Sequence, residues 1–395
     1  MRTIVDSPSQ QRLAQCEIEV RTHSLNSGWD APLNSPADSE KTLLLAFAHP
    51  DYADHPALFD EIQSAFPQSH LIGCSAVGTI LDRELRESGL VLAVQQFRHT
   101  QLRTASALLK DFPDSRDAGR AIGSRLSAAD LRSVFVLSDG LHVNGSHLAQ
   151  GIAESIPSGV IVSGGLAGDG PRFRRTWALC GQKAVERSVV AVGFYGQRLR
   201  VGHGSRGGWD VFGPTRIITR SEGNVLYELD GKPALALYKR YLGDRAAELP
   251  SSALLFPLTI FQDGDESRAL VRTVLAVDEK AQSMTFAGDV PVGASAQLMR
   301  ANFDRLVTAA GESGAAAARL LGTDRGGPAL MIAVSCIGRR LILGERVEEE
   351  LDATCQSLRA GDRQIGFYSY GEISPLGTGS CELHNQTMTL TAVTE

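Results

Sequence analysis

The chain has 395 residues, a length that usually needs more than one hydrophobic core, and its formal net charge is −6. With 43% hydrophobic and 21% charged residues it resembles soluble globular proteins, and its unclustered basic residues argue against nucleic acid or an anionic membrane as partner. The longest apolar run, at residues 43–48, is far short of the ~20 residues that cross a bilayer, and no signal-peptide pattern is present, so we expect a cytoplasmic protein.

The first half of the chain alternates between strand and helix patterns. Residues 1–38 show little periodicity and are interpreted as an N-terminal lead segment. A helix is predicted at residues 55–66, with Leu58 and Ile62 on one face. Buried strands are predicted at residues 43–48, 71–75, 90–97, 134–138, 160–163 and 189–195. Strands that first alternate with helices and then follow one another predict an α/β fold with mixed sheets.

The pattern changes over residues 219–242, where an Asp230-Gly231 turn precedes Pro233 at the start of a predicted helix. We place a domain boundary here, which gives one domain at residues 39–230 and a second at residues 231–395. The second domain also mixes the two element types, with strands predicted at residues 253–261, 269–277, 284–287 and 329–336 and helices at residues 297–310 and 346–358.

A short internal repeat is also visible. Residues 67–78 align without gaps with residues 157–168, and in each a proline, an aliphatic strand and a closing glycine follow one another. Residues 366–371 have the Gly-x4-Gly spacing of residues 73–78. Three such units would place three glycine-bounded strand ends in comparable positions, although short glycine-rich matches also arise by chance.

A glycine-rich loop at residues 163–170 contains Gly164, Gly165 and Asp169. Glycines allow backbone N–H groups to approach a ligand closely, so Asp169 and the loop amides are candidates for binding a polar ligand. The alternative is a turn in which the aspartate binds its own backbone. The loop lacks the Gly-Lys-Ser/Thr ending of a nucleotide-binding P-loop.

Two further segments carry aromatic and titratable side chains. Among four glycines, Trp209 offers a stacking face and His203 a hydrogen-bond donor or metal ligand, unless this segment is only a hairpin at a sheet edge. Near the C-terminus, strand alternation predicts one shared face for a group that would line a pocket next to the 164–169 loop, namely Tyr368, Tyr370 and Glu372. His384 and Asn385 follow, and His384 is the histidine most expected to contact a ligand, although a lone histidine is often structural.

Taken together, these segments resemble the FIST family of sensory proteins. Residues 72–75, 138–140 and 164–169 resemble its N-terminal half, and residues 366–373 and 384–387 its C-terminal half. The resemblance implies a two-domain FIST architecture that binds a small molecule and signals to a histidine kinase or a cyclic-dinucleotide enzyme. The chain looks like stand-alone members that sense nitric oxide, which implies haem b, with His384 as first and His203 as second candidate iron ligand. It is also compatible with a homodimer.

Three hypotheses for the function follow. The preferred one is a haem-based nitric oxide sensor, and the second is a FIST sensor of an amino acid or other metabolite without haem. The third is an enzyme that uses Asp139, Asp169, Glu372 and His384. No His-Glu-x-x-His, Gly-x-Ser-x-Gly or Cys-x-x-Cys pattern occurs, so we do not expect an enzyme.

Overall fold

The structure is a computed structural model that describes residues 18–33, 36–262, 264–265, 269–375 and 381–395. Its α-helices are α1 (Pro56–Ala65), α2 (Ser115–Leu126), α3 (Gly145–Ser155), α4 (Ala234–Leu242), α5 (Phe303–Leu320), α6 (Ile337–Leu343) and α7 (Val347–Cys355). None of these helices, in the part of the chain that the structure describes, combines the length and apolar character needed to cross a membrane.

The strands are numbered in chain order and belong to four sheets. They are β1 (Ile18–Ser24), β2 (Gly28–Trp29), β3 (Thr42–Ala48), β4 (His70–Ser75), β5 (Thr79–Leu81), β6 (Glu84–Arg86), β7 (Leu90–Gln96), β8 (Gln101–Leu108), β9 (Leu131–Ser138), β10 (Ile161–Leu166), β11 (Ala178–Cys180), β12 (Lys183–Val185), β13 (Ser188–Tyr195), β14 (Arg200–Arg206), β15 (Asp210–Glu222), β16 (Val225–Leu229), β17 (Lys232–Pro233), β18 (Leu258–Phe261), β19 (Leu270–Arg272), β20 (Val274–Asp278), β21 (Ser283–Phe286), β22 (Ser295–Arg300), β23 (Leu330–Cys336), β24 (Arg363–Ser369), β25 (Gly371–Pro375), β26 (Cys381–His384) and β27 (Met388–Thr394).

Three of the sheets contain the same four-stranded unit. Its strands lie in the order β4–β3–β7–β1 in the first sheet, β10–β9–β13–β8 in the second and β24–β23–β27–β14 in the third. In each unit the first two strands are parallel and are joined through helices, whereas the remaining pairs are antiparallel. The prediction of an α/β fold with mixed sheets is therefore confirmed.

Each unit also contains a hairpin that pairs with the sheet of another unit. The β5–β6 hairpin follows β4 in the chain but pairs with β24, and the β25–β26 hairpin follows β24 but pairs with β10. The β11–β12 hairpin follows β10 and pairs with β4. The three units therefore exchange hairpins in a cycle. Because these sheets contain strands from both sides of residue 230, the division into residues 39–230 and 231–395 as separate domains stays a prediction.

Three glycines occupy equivalent positions in the parallel strands, and they set the true register of the repeat. Gly73, Gly164 and Gly366 lie opposite Ala46, Val136 and Ala333 of the neighbouring strand. A Cβ atom on them would lie 2.2, 1.8 and 1.9 Å from the facing carbonyl oxygen. The gapless alignment, which matched Gly73 with Ser163, was therefore wrong by one residue, whereas the match of Gly73 with Gly366 agrees with the structure.

One hydrophobic core fills the space enclosed by the three sheets. It includes Phe47, Phe135 and Phe367, and the rings of Phe47 and Phe367 lie 4.8 Å apart. The opposite faces of the sheets are covered by α1, by α2 with α3, and by α5 with α6 and α7. Burial on both faces explains why the central strands are continuous apolar runs.

The fourth sheet is inserted between β14 and α5, and it packs its own core against α4. Its strands are β15, β16, β17, β18, β19, β20, β21 and β22. The lead expected over residues 1–38 contributes β1, which pairs with β7 over residues 18–23. Residues 1–17 and 34–35 of that lead lie outside the described residues.

Candidate functional site

A cavity of about 340 Å³ lies where the carboxyl ends of β9 and β23 approach the fourth sheet. Its walls come from residues 140–145 after β9, residues 336–338 at the start of α6, and residues of the fourth sheet such as Thr273 and Phe286. Leu166, Phe173 and Tyr370 complete it. Small-molecule sites commonly have a volume of roughly 300–1,000 Å³, and in α/β folds they lie beyond the carboxyl ends of parallel strands.

The loop at residues 140–145 is held by a helix cap and by a buried carboxylate. Asn144 precedes α3, and its side chain accepts a hydrogen bond from the His147 backbone N–H at 3.0 Å, a common way to begin a helix. The Asp139 carboxylate is fully buried and accepts from the backbone N–H groups of Leu141 and Arg187 at 2.7 and 2.6 Å. These contacts fix the backbone of the cavity wall.

His142 is the histidine that this wall presents to the cavity. Its Nδ1 atom lies 3.2 Å from both carboxylate oxygens of Asp139. Its Nε2 atom has no hydrogen-bond partner among the described residues. An imidazole oriented by a carboxylate in this way is suited to bind a metal ion or a ligand. Sequence reasoning identified Asp139 but missed His142, because its orientation depends on contacts that spacing does not reveal.

Aromatic rings form another wall of the cavity. The rings of Phe173 and Tyr370 stack with centroids 4.6 Å apart and an interplanar angle of 9°. The Tyr370 hydroxyl donates to the Asp169 carboxylate and lies 2.5 Å from the carbonyl oxygen of Gly170. Burial, together with the Asp169 carboxylate, raises the pKa of Tyr370. The loop at residues 163–170 and the C-terminal segment thus lie next to each other, as expected, but Asp169 is not part of the cavity lining and its contact with a ligand stays a prediction.

The expected common face of Tyr368, Tyr370 and Glu372 does not exist. The chain leaves the third sheet after Ser369 and enters the second at Gly371, so the predicted single strand is two strands. Tyr368 is buried in the core beneath α7, where its hydroxyl donates to Glu350 at 3.1 Å. Of the three side chains, Tyr370 lines the cavity.

Other predicted site residues lie outside the cavity lining. Gly164 and Gly165 are inside β10, where they pair with Ile373 and Glu372 of β25. A Cβ atom on Gly165 would lie 2.6 Å from Val334, so this glycine permits close packing of sheets. Trp209 is also buried, and its indole N–H donates to the carbonyl oxygen of Gln386 at 2.9 Å. Ligand contact by these residues stays a prediction.

Haem b, which the family resemblance implied, is held through an axial side chain, commonly an imidazole that faces the haem pocket. The His384 ring is buried and lies 3.2 Å from the carbonyl oxygen of Ser374, and burial lowers its pKa to about 4. His203 lies in β14, away from the cavity lining. Neither His384 nor His203 lines the cavity, and their assignment as iron ligands stays a prediction.

Buried polar atoms without partners lie on the cavity wall and behind it. The Thr273 hydroxyl lines the cavity and has no hydrogen-bond partner among the described residues. The side-chain carboxamides of Asn385 and Gln386, next to Gly371 and Gly338, are also unpaired. Such groups are uncommon in folded proteins and call for a partner such as a ligand or water.

The buried Glu372 carboxyl should make the stability of the protein depend on pH. Burial raises its pKa to about 8, although Ser369 and Thr387 hydrogen bond to the carboxylate. Between about pH 5 and 8 the folded carboxyl keeps a proton that the unfolded chain has lost, so its contribution to stability falls as pH rises. The free energy of unfolding of wild type relative to Glu372→Gln should fall by on the order of 4 kcal/mol across this window.

Urea unfolding at a series of pH values measures this difference. Burial lowers the pKa of His384, so His384 destabilises the folded state as pH falls from about 6.5 towards 4. Wild type and Glu372→Gln both contain His384, so this contribution cancels in the difference between their free energies of unfolding. Glu348→Gln, at an exposed position of α7, is the control and should keep the wild-type profile. If the free energies of unfolding of Glu372→Gln and wild type changed in parallel with pH, Glu372 would be ionised across this pH range.

Comparison with known proteins agrees with the resemblance seen in the sequence. The profile of the FIST N domain matches residues 42–232, and that of the FIST C domain matches residues 234–375. An uncharacterized protein of Methanocaldococcus jannaschii is 29% identical over 201 residues, which are 47% of this chain and 37% of that relative. The chain thus spans little more than a third of this relative's length. Because the two domain profiles together cover most of its residues, the chain belongs to the FIST family.

Proposed function

We propose that this protein is a sensor whose small-molecule ligand occupies the cavity between residues 140–145, the start of α6 and the fourth sheet. FIST domains are sensory ligand-binding domains of signal-transduction proteins. The observation that carries the proposal is that both matched segments build the cavity, since His142 belongs to the FIST N segment and Thr273 to the FIST C segment. A bound ligand would connect them, which is the contact a sensor requires.

The chemistry of the walls supports a ligand that is mainly apolar with few polar groups. The apolar lining residues are Leu141, Val143, Leu166, Phe173, Leu254, Leu275, Phe286 and Ile337. His142 and the Thr273 hydroxyl supply polar groups between them. A ligand that binds only the folded state stabilises it by about 2.7 kcal/mol at a hundred times its dissociation constant, so binding is measurable as a shift in unfolding.

Ala287→Phe should block this cavity and abolish ligand binding. Ala287 is half-buried on the lining, so a phenyl ring there takes up ligand space. Thermal unfolding of wild type and variant would be followed with haemin and with a panel of amino acids and aromatic metabolites. Leu320→Phe, at a 53% exposed position on α5, is the control and should respond as wild type does. Equal stabilisation of Ala287→Phe and wild type by a binding compound would place the site elsewhere.

The second candidate function is haem-based sensing of nitric oxide, and the orientation of His142 by Asp139 favours it. Haem would supply an iron centre that binds the gas, and His142 would hold it from the cavity wall. In the haemin arm of the same experiment, wild type then shows a Soret band that His142→Ala alters and His384→Ala does not. Without haem uptake, the metabolite-sensing hypothesis takes its place. For either candidate function we propose a histidine kinase or a cyclic-dinucleotide enzyme as the signalling partner and a homodimer as the assembly.

A further inference from the structure

The hydrogen bonds of Asp139 determine which ring nitrogen of His142 carries the hydrogen. Oδ1 of Asp139 accepts from the backbone N–H groups of Leu141 and His142 at 2.7 and 3.0 Å. It also accepts from the Thr176 hydroxyl at 3.0 Å, and Oδ2 accepts from the backbone N–H of Arg187 at 2.6 Å. Because both carboxylate oxygens act as acceptors, the hydrogen in their contact with the imidazole comes from Nδ1.

The other ring nitrogen of His142, Nε2, is therefore an acceptor in the neutral imidazole. Nδ1 lies 3.2 Å from both oxygens of Asp139, which fixes the orientation of the ring together with its tautomer. Nε2 has no hydrogen bond to a described residue, and it is not among the buried atoms without a partner. The side chain lines the cavity and is 30% exposed, so a molecule in the cavity can reach this nitrogen.

Other polar side chains of the lining are already engaged with the protein. The Asn144 side-chain nitrogen donates to the Asp289 carboxylate at 3.3 Å. The Asn224 side-chain nitrogen donates to the carbonyl oxygen at the end of β21 at 2.8 Å. The Tyr370 hydroxyl donates to the Asp169 carboxylate. A ligand therefore meets the acceptor nitrogen of His142 in a wall that is otherwise largely apolar.

We infer that the ligand of this cavity carries a hydroxyl group on a flat apolar body and donates the hydroxyl hydrogen to Nε2 of His142. The inference rests on the proposed function, namely that the cavity holds the ligand. A ketone, an ether or a carboxylate fits less well, because these groups only accept and would meet the Nε2 lone pair without a hydrogen between them. The stacked rings of Phe173 and Tyr370 provide a flat surface for the apolar body.

Nitrogen NMR of the full-length protein tests the tautomer of His142 without any ligand. With ¹⁵N-labelled histidine, the His142 signals are those that disappear in His142→Phe. They should show a hydrogen on Nδ1 and none on Nε2. In Asp139→Asn the side chain gains a donor, so this tautomer should lose its preference, a change that loss of a purely structural contact would not produce. A hydrogen on Nε2 in wild type would overturn the inference.

Three naphthalene probes test the ligand class by calorimetric titration. 2-Naphthol donates a hydrogen bond, 2-methoxynaphthalene only accepts, and 2-naphthoate is an anion that only accepts. Wild type should bind 2-naphthol at least about tenfold more tightly than either of the others, because they leave the acceptor nitrogen without a partner. His142→Phe keeps a flat ring but removes the acceptor, so it should lose this preference and keep its affinity for 2-methoxynaphthalene.

The possible results separate this inference from the proposed function. Wild type that binds all three probes equally, prefers 2-naphthoate or binds none would overturn the inference, and so would a His142→Phe variant that keeps the preference for 2-naphthol. The cavity would still be the site if Ala287→Phe abolished binding of the compounds that wild type binds. Equal binding of 2-naphthol by Ala287→Phe and wild type would contradict the proposed function, even with the expected tautomer of His142.

Discussion

Gly366→Ala should destabilise the protein by about 3 kcal/mol or more, because a side chain cannot fit between β24 and β23. The alanine Cβ would lie 1.9 Å from the carbonyl oxygen of Ala333 and 2.7 Å from its carbonyl carbon. Both atoms belong to the backbone of a central strand that is hydrogen-bonded on both sides, so they cannot move away without breaking the sheet. Urea unfolding monitored by circular dichroism measures the loss.

Gly311→Ala is the matched control for this substitution. Gly311 lies within α5, and the nearest atoms to an added Cβ are 3.4 Å away, an ordinary contact. Alanine is the better helix former, so this variant should gain about 0.5–1 kcal/mol. Should Gly366→Ala unfold within 1 kcal/mol of wild type, the close approach of the two strands would be incorrect.

Arg339→Met should cost about 3–5 kcal/mol, because it leaves the buried Glu350 carboxylate without its charged partner. Both side chains are fully buried, and the guanidinium Nε and Nη2 atoms donate to one Glu350 oxygen at 2.8 and 2.7 Å. Nη2 also donates to the carbonyl oxygen of Leu306 at 2.8 Å. Tyr368 and Ser335 donate to the other Glu350 oxygen, so this carboxylate organises the interior beneath α7.

A double-mutant cycle with Glu350→Leu tests this interpretation by denaturant unfolding. Removal of both charges eliminates the unpaired carboxylate, so the double variant should be less destabilised than the sum of the single variants by about 1–3 kcal/mol. The exposed pair of Arg83 and Asp352, 3.6 Å apart, is the control, and its cycle should give less than about 1 kcal/mol. Additive effects at Arg339 and Glu350 would show that the two side chains do not interact.

Local patterns in the sequence predicted the strands but not their partners. The apolar run at residues 43–48 corresponds to β3, and the run at residues 134–138 lies within β9. Nothing local to Ile80, however, indicates that it pairs with Gly366, because such pairing depends on the packing of whole sheets. The same limit affected residues 366–373, where alternation suggested one strand although the chain changes sheets after Ser369.

Part of the candidate site was predictable from chemically distinctive residue types. Tyr370, which lines the cavity, and Asp169, which accepts its hydrogen bond, were both selected although 201 residues separate them. Asn385 was selected as well, but it does not line the cavity, and its contact with a ligand stays a prediction. Thr273, between β19 and β20, carries no sequence signal, since a threonine is ordinary until its hydroxyl is found buried and unpaired.

The cyclic exchange of hairpins has a consequence for synthesis on the ribosome. The second sheet contains β25 and β26, and the third contains β27 as the partner of both β14 and β23. A nascent chain that has emerged only to residue 232 therefore exposes the edge of β10 and lacks three of the six strands of the third sheet. Unpaired strand edges are prone to aggregate. The three sheets can be completed only once β27 has left the ribosome, and a chaperone that shields the edge of β10 would protect the nascent chain until β25 pairs with it.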